Sequence, residues 1–257
     1  VVTFILAGVI VQTIAGAVAK LEERGALGLF GSASERSLFW AELDHSVTRS
    51  QMSPVAQQLL TQGEQVAILS RDPEKSRAWK QAGAEIRIGD LGDAASLREA
   101  MTGVDKVALH IPFFGDPSQS FTYFRQAIDA ARKANVSMLV WNTSGTIPQQ
   151  PSGNPAIDYR IEALAYLRAS GPPFVALAPT GYAENLLSPW TTRHLQTRAQ
   201  ISYPAPADYA IGWLPTADLA SMIVYALAHP ELNGLVADVS GLEAYTGPEL
   251  ALVFSEA

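Results

Sequence analysis

The 257-residue chain carries a formal net charge of −7 at pH 7 and contains no cysteine. Its acidic balance argues against a basic surface for nucleic acid, and the missing cysteine excludes disulfides, thiol nucleophiles and thiolate metal sites and favours a cytoplasmic location. The length suits one α/β domain of ordinary size, or one domain with a small lobe.

Residues 1–19 are almost wholly apolar and approach the roughly 20 residues that span a bilayer. Gln12 and Thr13 lie in the middle of this stretch, where polar groups are costly in a membrane. We therefore favour a buried strand and helix, and keep a membrane-anchoring segment as the alternative. Residues 1–25 are set apart as an apolar N-terminal segment whose place in the domain stays open.

Two stretches are candidates for the first strand. Residues 26–34 form an apolar run that reaches Gly31 and a turn of small residues, whereas residues 3–7 are followed by a helical pattern. We predict the first, because a glycine after this strand lets the backbone approach a bound pyrophosphate. The connection from residue 34 to residue 53 is then much longer than the roughly 2 to 6 residues usual in such units.

From residue 53 onward, apolar strands alternate with helices at the spacing of a parallel sheet. The predicted strands are 66–69, 86–89, 106–111, 138–142 and 174–178, and the predicted helices are 54–62, 73–82, 94–101, 121–134, 157–170 and 217–228. We predict a doubly wound, Rossmann-like α/β domain over residues 26–180. Prolines punctuate the following residues, so residues 181–257 are predicted to mix the last strands and helices with a small substrate lobe over the carboxyl ends of the strands.

Arg71 comes just after the predicted strand 66–69, where doubly wound sheets meet the adenosine ribose of a dinucleotide. Its guanidinium carries a fork of donors that can bind two phosphate oxygens at once. Arg71 therefore favours a 2′-phosphate, and with it NADP(H). A solvated charge at the end of a strand is the alternative interpretation.

Several segments together resemble the NmrA-like group of atypical short-chain dehydrogenases, which includes NADPH-dependent quinone reductases and NADPH-sensing regulators. They are Ser-Arg-Asp-Pro-Glu-Lys at 70–75, Gly-Asp-Leu at 89–91, Ser-Leu-Arg-Glu-Ala-Met-Thr-Gly-Val-Asp at 96–105, Leu-Arg-Ala-Ser-Gly at 167–171, Pro-Thr-Gly-Tyr-Ala-Glu-Asn-Leu-Leu at 179–187 and Ala-Asp-Leu-Ala at 217–220. The resemblance implies NADP(H) as cofactor and a small molecule as substrate. It also implies further helices after residue 257, so the substrate lobe is expected to be incomplete.

The resemblance implies a set of site residues at the carboxyl edge of the sheet. Those expected to bind the cofactor are Gly31, Arg71, Lys75, Asp90, Leu91, Ile111, Pro112, Thr143, Ser144, Arg160 and Pro179, and those expected to meet the substrate are Phe113, Phe114, Tyr182 and Asn185. Among them, Asp90 and Leu91 are expected to lie against the adenine. A place in the core stays open for the two phenylalanines, and turn capping stays open for Thr143 and Ser144.

Two departures from the family pattern bear on function. The glycines of the Gly-x-x-Gly-x-x-Gly turn fall on Ser46, Arg49 and Met52, whose side chains are expected to weaken pyrophosphate binding. The helical lysine of the family falls on Arg160, and the tyrosine of ordinary short-chain dehydrogenases falls on Ala156. Because an arginine stays protonated, it can anchor a ribose or polarise a carbonyl but cannot relay a proton.

The predicted function is NADPH-dependent reduction of a small quinone-like or aromatic carbonyl compound, with Arg160 as the candidate catalytic residue. Hydride transfer to such an acceptor needs little side-chain acid, because the cofactor supplies the reductant. A non-catalytic NADP(H)-sensing regulator and a fragment with a defective cofactor site are the alternatives. No metal is predicted, since the four histidines, at 45, 110, 194 and 229, lack metal-ligand spacing. The oligomeric state stays open.

Overall fold

A computed structural model describes residues 36–39, 48–111, 116–188, 191, 193, 194, 198 and 200–256. The strands are β1 (Arg36–Phe39), β2 (Gln65–Ser70), β3 (Glu85–Ile88), β4 (Lys106–His110), β5 (Met138–Asn142), β6 (Phe174–Pro179), β7 (Gly181–Tyr182), β8 (Ile211–Leu214), β9 (Val236–Val239) and β10 (Ala244–Tyr245). The α-helices among these residues are α1 (Thr48–Thr61), α2 (Arg77–Gln81), α3 (Ala94–Ala100), α4 (Pro117–Lys133), α5 (Pro155–Ser170), α6 (Thr216–Ala228) and α7 (Gly247–Glu256). Short 3-10 helices cover Ala183–Leu187 and Pro230–Leu232.

Seven strands form one parallel sheet in the order β3-β2-β1-β4-β5-β6-β9. The strand order reverses between β1 and β4, and this switch point is where open α/β sheets bind ligands, beyond the carboxyl ends of the strands. The predicted doubly wound, Rossmann-like α/β fold is confirmed.

The first strand differs from the prediction. β1 is Arg36–Phe39, and its residues pair with β2 on one side and β4 on the other, with Ser37 opposite Val66 and Lys106. The predicted stretch 26–34 does not supply the strand at this place in the sheet, and residues 26–34 themselves, like the alternative 3–7, lie outside the described residues. The position of β1 is decided by its pairing with β2 and β4, two longer buried strands. β1 itself is short and half-polar, so its sequence lacks the apolar run that would predict a strand.

Helix α1 begins at Thr48, six residues before the predicted start at residue 54. Pro54, the residue at which the helix was predicted to begin, lies inside the helix, where it removes one backbone hydrogen bond. Burial explains why the helix extends through it. The buried side chains follow the 3, 4 and 7 spacing of one helical face, and they are Met52, Val55, Ala56 and Leu59.

Helices α4 and α5 begin at capping signals that are visible in the sequence. The Asp116 carboxylate accepts a hydrogen bond from the Ser118 amide at 2.9 Å, and a proline follows at the first helical position. Asn154 caps α5 in the same way through the amide of Ala156 at 3.0 Å. These caps place α4 and α5 a few residues earlier than predicted.

The sheet has a hydrophobic core on each face. One core involves α3, α4 and α5, and includes Leu139 and Trp141 of β5; the other involves α1 and α6, and includes Met138 and Val140 of the same strand. Successive side chains of a strand point to opposite faces, so a strand covered on both faces is apolar throughout. This is why β5 and β6 were easy to predict.

A small three-stranded sheet, in the order β10-β8-β7, continues from the main one. Its strand β7 follows β6 after a single residue, Thr180. Tyr182 pairs with Leu214 and both are buried in the α1 and α6 core, whereas Ile211 and Trp213 alternate onto the other face. The last strand of the main sheet, β9, also comes from the part of the chain after residue 180.

No helix in the described part of the chain is long and apolar enough to cross a membrane. Residues 1–19, for which a membrane anchor stayed open, lie outside that part.

Candidate functional site

The adenosine end of the predicted site carries one close charge pair. Arg71 directly follows β2, and its guanidinium lies 3.9 Å from a carboxylate oxygen of Asp90, which follows β3 after Gly89. Both side chains are almost half exposed, at 47% and 44%. A Cβ on Gly89 would lie 2.7 Å from Leu69 Cδ1, so glycine permits the close approach of the two strand ends. The guanidinium of Arg71 suits the oxygens of a ribose 2′-phosphate, whereas the carboxylate of Asp90 does not.

The neighbouring predicted residues divide between surface and core. Lys75 is exposed near Arg71, whereas Leu91 is buried in the core and has little side chain left to meet an adenine. From its place in the glycine pattern, the Met52 side chain was expected to interfere with pyrophosphate binding. It is instead fully buried in the core beneath α1 and does not protrude into the phosphate site. Residues 40–47, which include Ser46, lie outside the described residues.

Five side chains meet at the carboxyl ends of β4 and β5, and we call them the polar cluster: Gln51, His110, Asn142, Ser144 and Tyr182. The Gln51 side-chain oxygen lies 2.8 Å from Ser144 Oγ and 3.3 Å from Asn142 Nδ2. His110 Nε2 lies 2.7 Å from Ser144 Oγ, and the Tyr182 hydroxyl lies 3.0 Å from Asn142 Oδ1. All of these distances are within hydrogen-bonding range.

Burial makes the polar cluster electrically neutral near pH 7. Burial, assisted by the charge of Arg160, lowers the pKa of His110 to about 4, so its ring is uncharged. Burial also raises the pKa of Tyr182 to about 12, so its hydroxyl keeps its proton. The cluster therefore acts through hydrogen bonds between uncharged groups.

Arg160 braces the turn that follows β5. Its Nε donates to the carbonyl of Thr143 at 2.8 Å, and one of its terminal nitrogens donates to the carbonyl of Ser144 at 3.3 Å. Ser144 has a left-handed backbone with φ 56° and Gly145 has φ 150°, so these carbonyls are held in an unusual turn. Two donors of the candidate catalytic arginine are thus bonded to backbone.

Other predicted site residues fall in three groups. Thr143 is buried beside the cluster and donates its hydroxyl to the Gly145 carbonyl, while Ile111 and Pro179 are buried. Asn185 lies elsewhere, with its amide donating to the Tyr203 hydroxyl at 3.3 Å. Four predicted site residues lie outside the described residues: Gly31, Pro112, Phe113 and Phe114.

Sequence reasoning missed three members of the polar cluster. His110 and Asn142 are the last residues of two buried strands, a position at which polar residues signal a site edge. Gln51 gave no such signal, because its partners are more than 90 residues away in the chain.

A cavity of about 900 Å³ lies on the other face of the small sheet. It is lined by Tyr203, Ile211, Trp213 and Tyr245, among others. Tyr182 points to the opposite face, toward Asn142. The cavity is therefore separate from the polar cluster.

Comparison with known proteins gives a consistent result. The model of a family described as NAD(P)H-binding matches residues 52–230. Quinone oxidoreductase 2 of Escherichia coli strain K12 is 27% identical over 212 residues, which are 82% of this chain and 69% of that protein. The NAD(P)H azoreductase of Xenophilus azovorans is 28% identical over 191 residues, and the match spans 74% of this chain and 64% of that enzyme.

A solved structure shares the fold. The triphenylmethane reductase of Citrobacter sp. in complex with NADP(H) superposes with a TM-score of 0.74 at 19% identity, covering 86% of this chain and 75% of that one.

Proposed function

The chain belongs to the NAD(P)H-binding family, and on that premise we propose that it is an oxidoreductase that uses NADPH to reduce a small quinone-like or aromatic carbonyl acceptor. The names of two relatives, a quinone oxidoreductase and an azoreductase, support an acceptor of this kind. Arg71 at the carboxyl end of β2 supports NADPH over NADH, since its guanidinium suits a 2′-phosphate.

The observation that carries the proposal is the direction of the hydrogen bonds beside β4 and β5. Ser144 donates its hydroxyl proton to Gln51, Tyr182 to Asn142, and Thr143 to the carbonyl of Gly145. None of these three hydroxyls points its proton at a substrate. Such a site favours acceptors that need no side-chain acid.

Quinones meet this condition. When bound, the nicotinamide would supply a hydride, which carries two electrons and one proton. The quinone becomes a hydroquinone anion, whose charge is delocalised over the ring, and a second proton from water completes the hydroquinone. The protein residues contribute by binding and orienting the reactants.

The decisive experiment measures NADPH oxidation by the purified chain with a panel of quinones and, in parallel, with simple ketones. We expect turnover with quinones and none with the simple ketones. Calorimetric titration with NADPH and NADH accompanies it, using Arg71→Ala and, as a matched control, Arg77→Ala, whose exposed guanidinium pairs with Glu74. Loss of a charge-assisted phosphate contact should weaken NADPH binding about 10- to 100-fold in Arg71→Ala only.

A second function has some support in the same hydrogen bonds. Because protein acceptors hold those three hydroxyl protons, the same arrangement also suits a non-catalytic NADP(H)-sensing regulator. NADPH binding without oxidation by any acceptor would favour that function, and binding of neither nucleotide would point to a defective cofactor site.

A further inference from the structure

Gln51 is the member of the polar cluster that comes from helix α1. It is a buried polar residue, 7% exposed, in the first turn of α1, and it connects that helix to the end of β5. Buried side-chain amides are costly unless their hydrogen bonds are satisfied. Its position therefore calls for a specific role.

One backbone amide determines the orientation of the whole polar cluster. The N–H of Ser144 can only donate, and its partner at 3.0 Å is the side-chain oxygen of Asn142. The amide nitrogen of Asn142 must then be the atom that faces Gln51. Because this nitrogen can also only donate, the Gln51 atom that accepts its hydrogen bond is the side-chain oxygen.

The Gln51 oxygen in turn fixes the proton positions of Ser144 and His110. Ser144 Oγ lies 2.8 Å from the Gln51 oxygen, which cannot donate, so the hydroxyl proton of Ser144 points to Gln51. Ser144 Oγ has no second proton to give, so His110 Nε2, 2.7 Å away, must donate to it. The ring of His110 therefore carries its proton on Nε2.

We propose that Gln51 is a positioning residue that turns Ser144 into a hydrogen-bond acceptor for the ligand. The proton of Ser144 is held by Gln51, and one lone pair of Ser144 Oγ is occupied by His110. The Tyr182 hydroxyl also lies beside Ser144 but donates its proton to Asn142. Ser144 Oγ therefore keeps one lone pair for a ligand donor, an O–H or N–H of the nicotinamide half of the cofactor. It does not donate to a substrate carbonyl. The identity of the ligand rests on the proposed function, whereas the positioning role of Gln51 rests on geometry alone.

The first test needs no cofactor. The full chain is labelled with 15N-histidine, and the ring nitrogens of His110 are assigned by their loss in His110→Gln. We expect the Nε2–H tautomer at pH 7. A wild-type His110 protonated on Nδ1 overturns the proposal without any further variant.

Substitution of Gln51 gives the second test. In Gln51→Met, which removes the acceptor at similar length, the Ser144 hydroxyl should turn to His110 Nε2 and shift the ring to the Nδ1–H tautomer. Gln51→Glu restores an acceptor oxygen and should restore Nε2–H. Gln57→Met is the matched control, because Gln57 is exposed on the same helix. An unchanged tautomer in Gln51→Met contradicts the proposal.

The role of Ser144 is tested with ligands. Ser144→Ala should weaken NADPH binding about 3- to 10-fold, as expected for one neutral hydrogen bond, and should raise KM for NADPH by a similar factor. A loss of kcat of about 100-fold with unchanged NADPH binding would show that Ser144 serves the substrate as a donor, and would overturn the proposal. If no acceptor oxidises NADPH, the proposed function fails, while the tautomer and NADPH binding still decide this inference.

Discussion

Arg71 and Asp90 form an exposed ion pair that has little value for stability, since such pairs contribute about 0 to 1 kcal/mol. Under the proposed function the pair lies at the adenosine end of the cofactor, where Arg71 holds the 2′-phosphate. That phosphate would come close to the carboxylate of Asp90. The two negative charges then repel each other.

Replacing Asp90 by Asn removes this repulsion at nearly constant shape. We expect Asp90→Asn to bind NADPH roughly three- to fivefold more tightly, which corresponds to about 1 kcal/mol of Coulomb energy near a surface, and to bind NADH as the wild type does. Calorimetric titrations at low and high salt check this, since salt should reduce the gain. If Asp90→Asn bound NADPH and NADH equally more weakly than the wild type, Asp90 would instead lie against the adenine.

His110 makes the stability of the protein depend on pH. Its pKa is about 4 in the folded protein and about 6.5 in the unfolded chain, so only the unfolded chain binds a proton between these values. The free energy of unfolding is therefore fully retained above pH 6.5. It falls as the pH drops toward 4, by about 3 kcal/mol in total from this residue.

Urea denaturation between pH 7 and pH 4.5 measures this effect. We expect His110→Gln to lose most of the decline that the wild type shows over this range. Gln57→Met, on the exposed side of α1, is the control, and its decline should match that of the wild type. Equal slopes in all three proteins would contradict a buried, neutral His110.

At the scale of elements, the turn between β5 and α5 depends on the contact between Gly145 and Arg160. A Cβ on Gly145 would lie 3.1 Å from a terminal nitrogen of Arg160, and its φ of 150° disfavours other residues. Gly145→Ala should therefore lower the free energy of unfolding by about 2 to 3 kcal/mol. Chemical denaturation measures it.

Gly153 offers a control within the same connection. It also has a positive φ, of 81°, but a Cβ there would meet nothing within 4 Å. Gly153→Ala should cost about 1 to 2 kcal/mol from backbone strain alone. If Gly145→Ala costs no more than Gly153→Ala, the Arg160 contact contributes nothing.

Helix α1 depends on burial of its first turns, as the fully buried Met52 indicates. Met52→Ala should lower the free energy of unfolding by about 2 to 5 kcal/mol, through lost apolar burial and a cavity. Gln57→Ala, on the exposed side of the same helix, should change it by less than about 0.5 kcal/mol. Similar small effects of both would mean that α1 is not held by this core.

At the scale of the whole molecule, ligand binding and folding are linked. A nucleotide that binds only the folded chain stabilises it by about 2.7 kcal/mol when present at a hundredfold excess over Kd. For a chain of this size, that should raise Tm by roughly 5 to 10 °C. We expect NADPH to give this shift and an equal concentration of NADH to give a smaller one, as measured by thermal denaturation. No shift with either nucleotide would contradict an intact cofactor site.

The prediction of strands and helices worked where burial is two-sided. β5 and β6 are apolar runs because both of their faces are covered, and they begin where they were predicted. α4 and α5 begin earlier than predicted, at Asp-Pro and Asn-Pro caps. β1 and the start of α1 could not be placed in this way. Partners far along the chain fix β1, and core packing fixes the beginning of α1.

Local periodicity and chain order were enough to predict the alternation of strands and helices, the parallel sheet and the placement of Arg71 after β2. The folded chain was needed to show that the five side chains of the polar cluster meet, and which way their protons point. Hydrogen bonds between residues up to 93 positions apart depend on how strands and helices pack, and no local pattern encodes that distance. The same packing bonds two of the donors of Arg160 to the backbone carbonyls of Thr143 and Ser144.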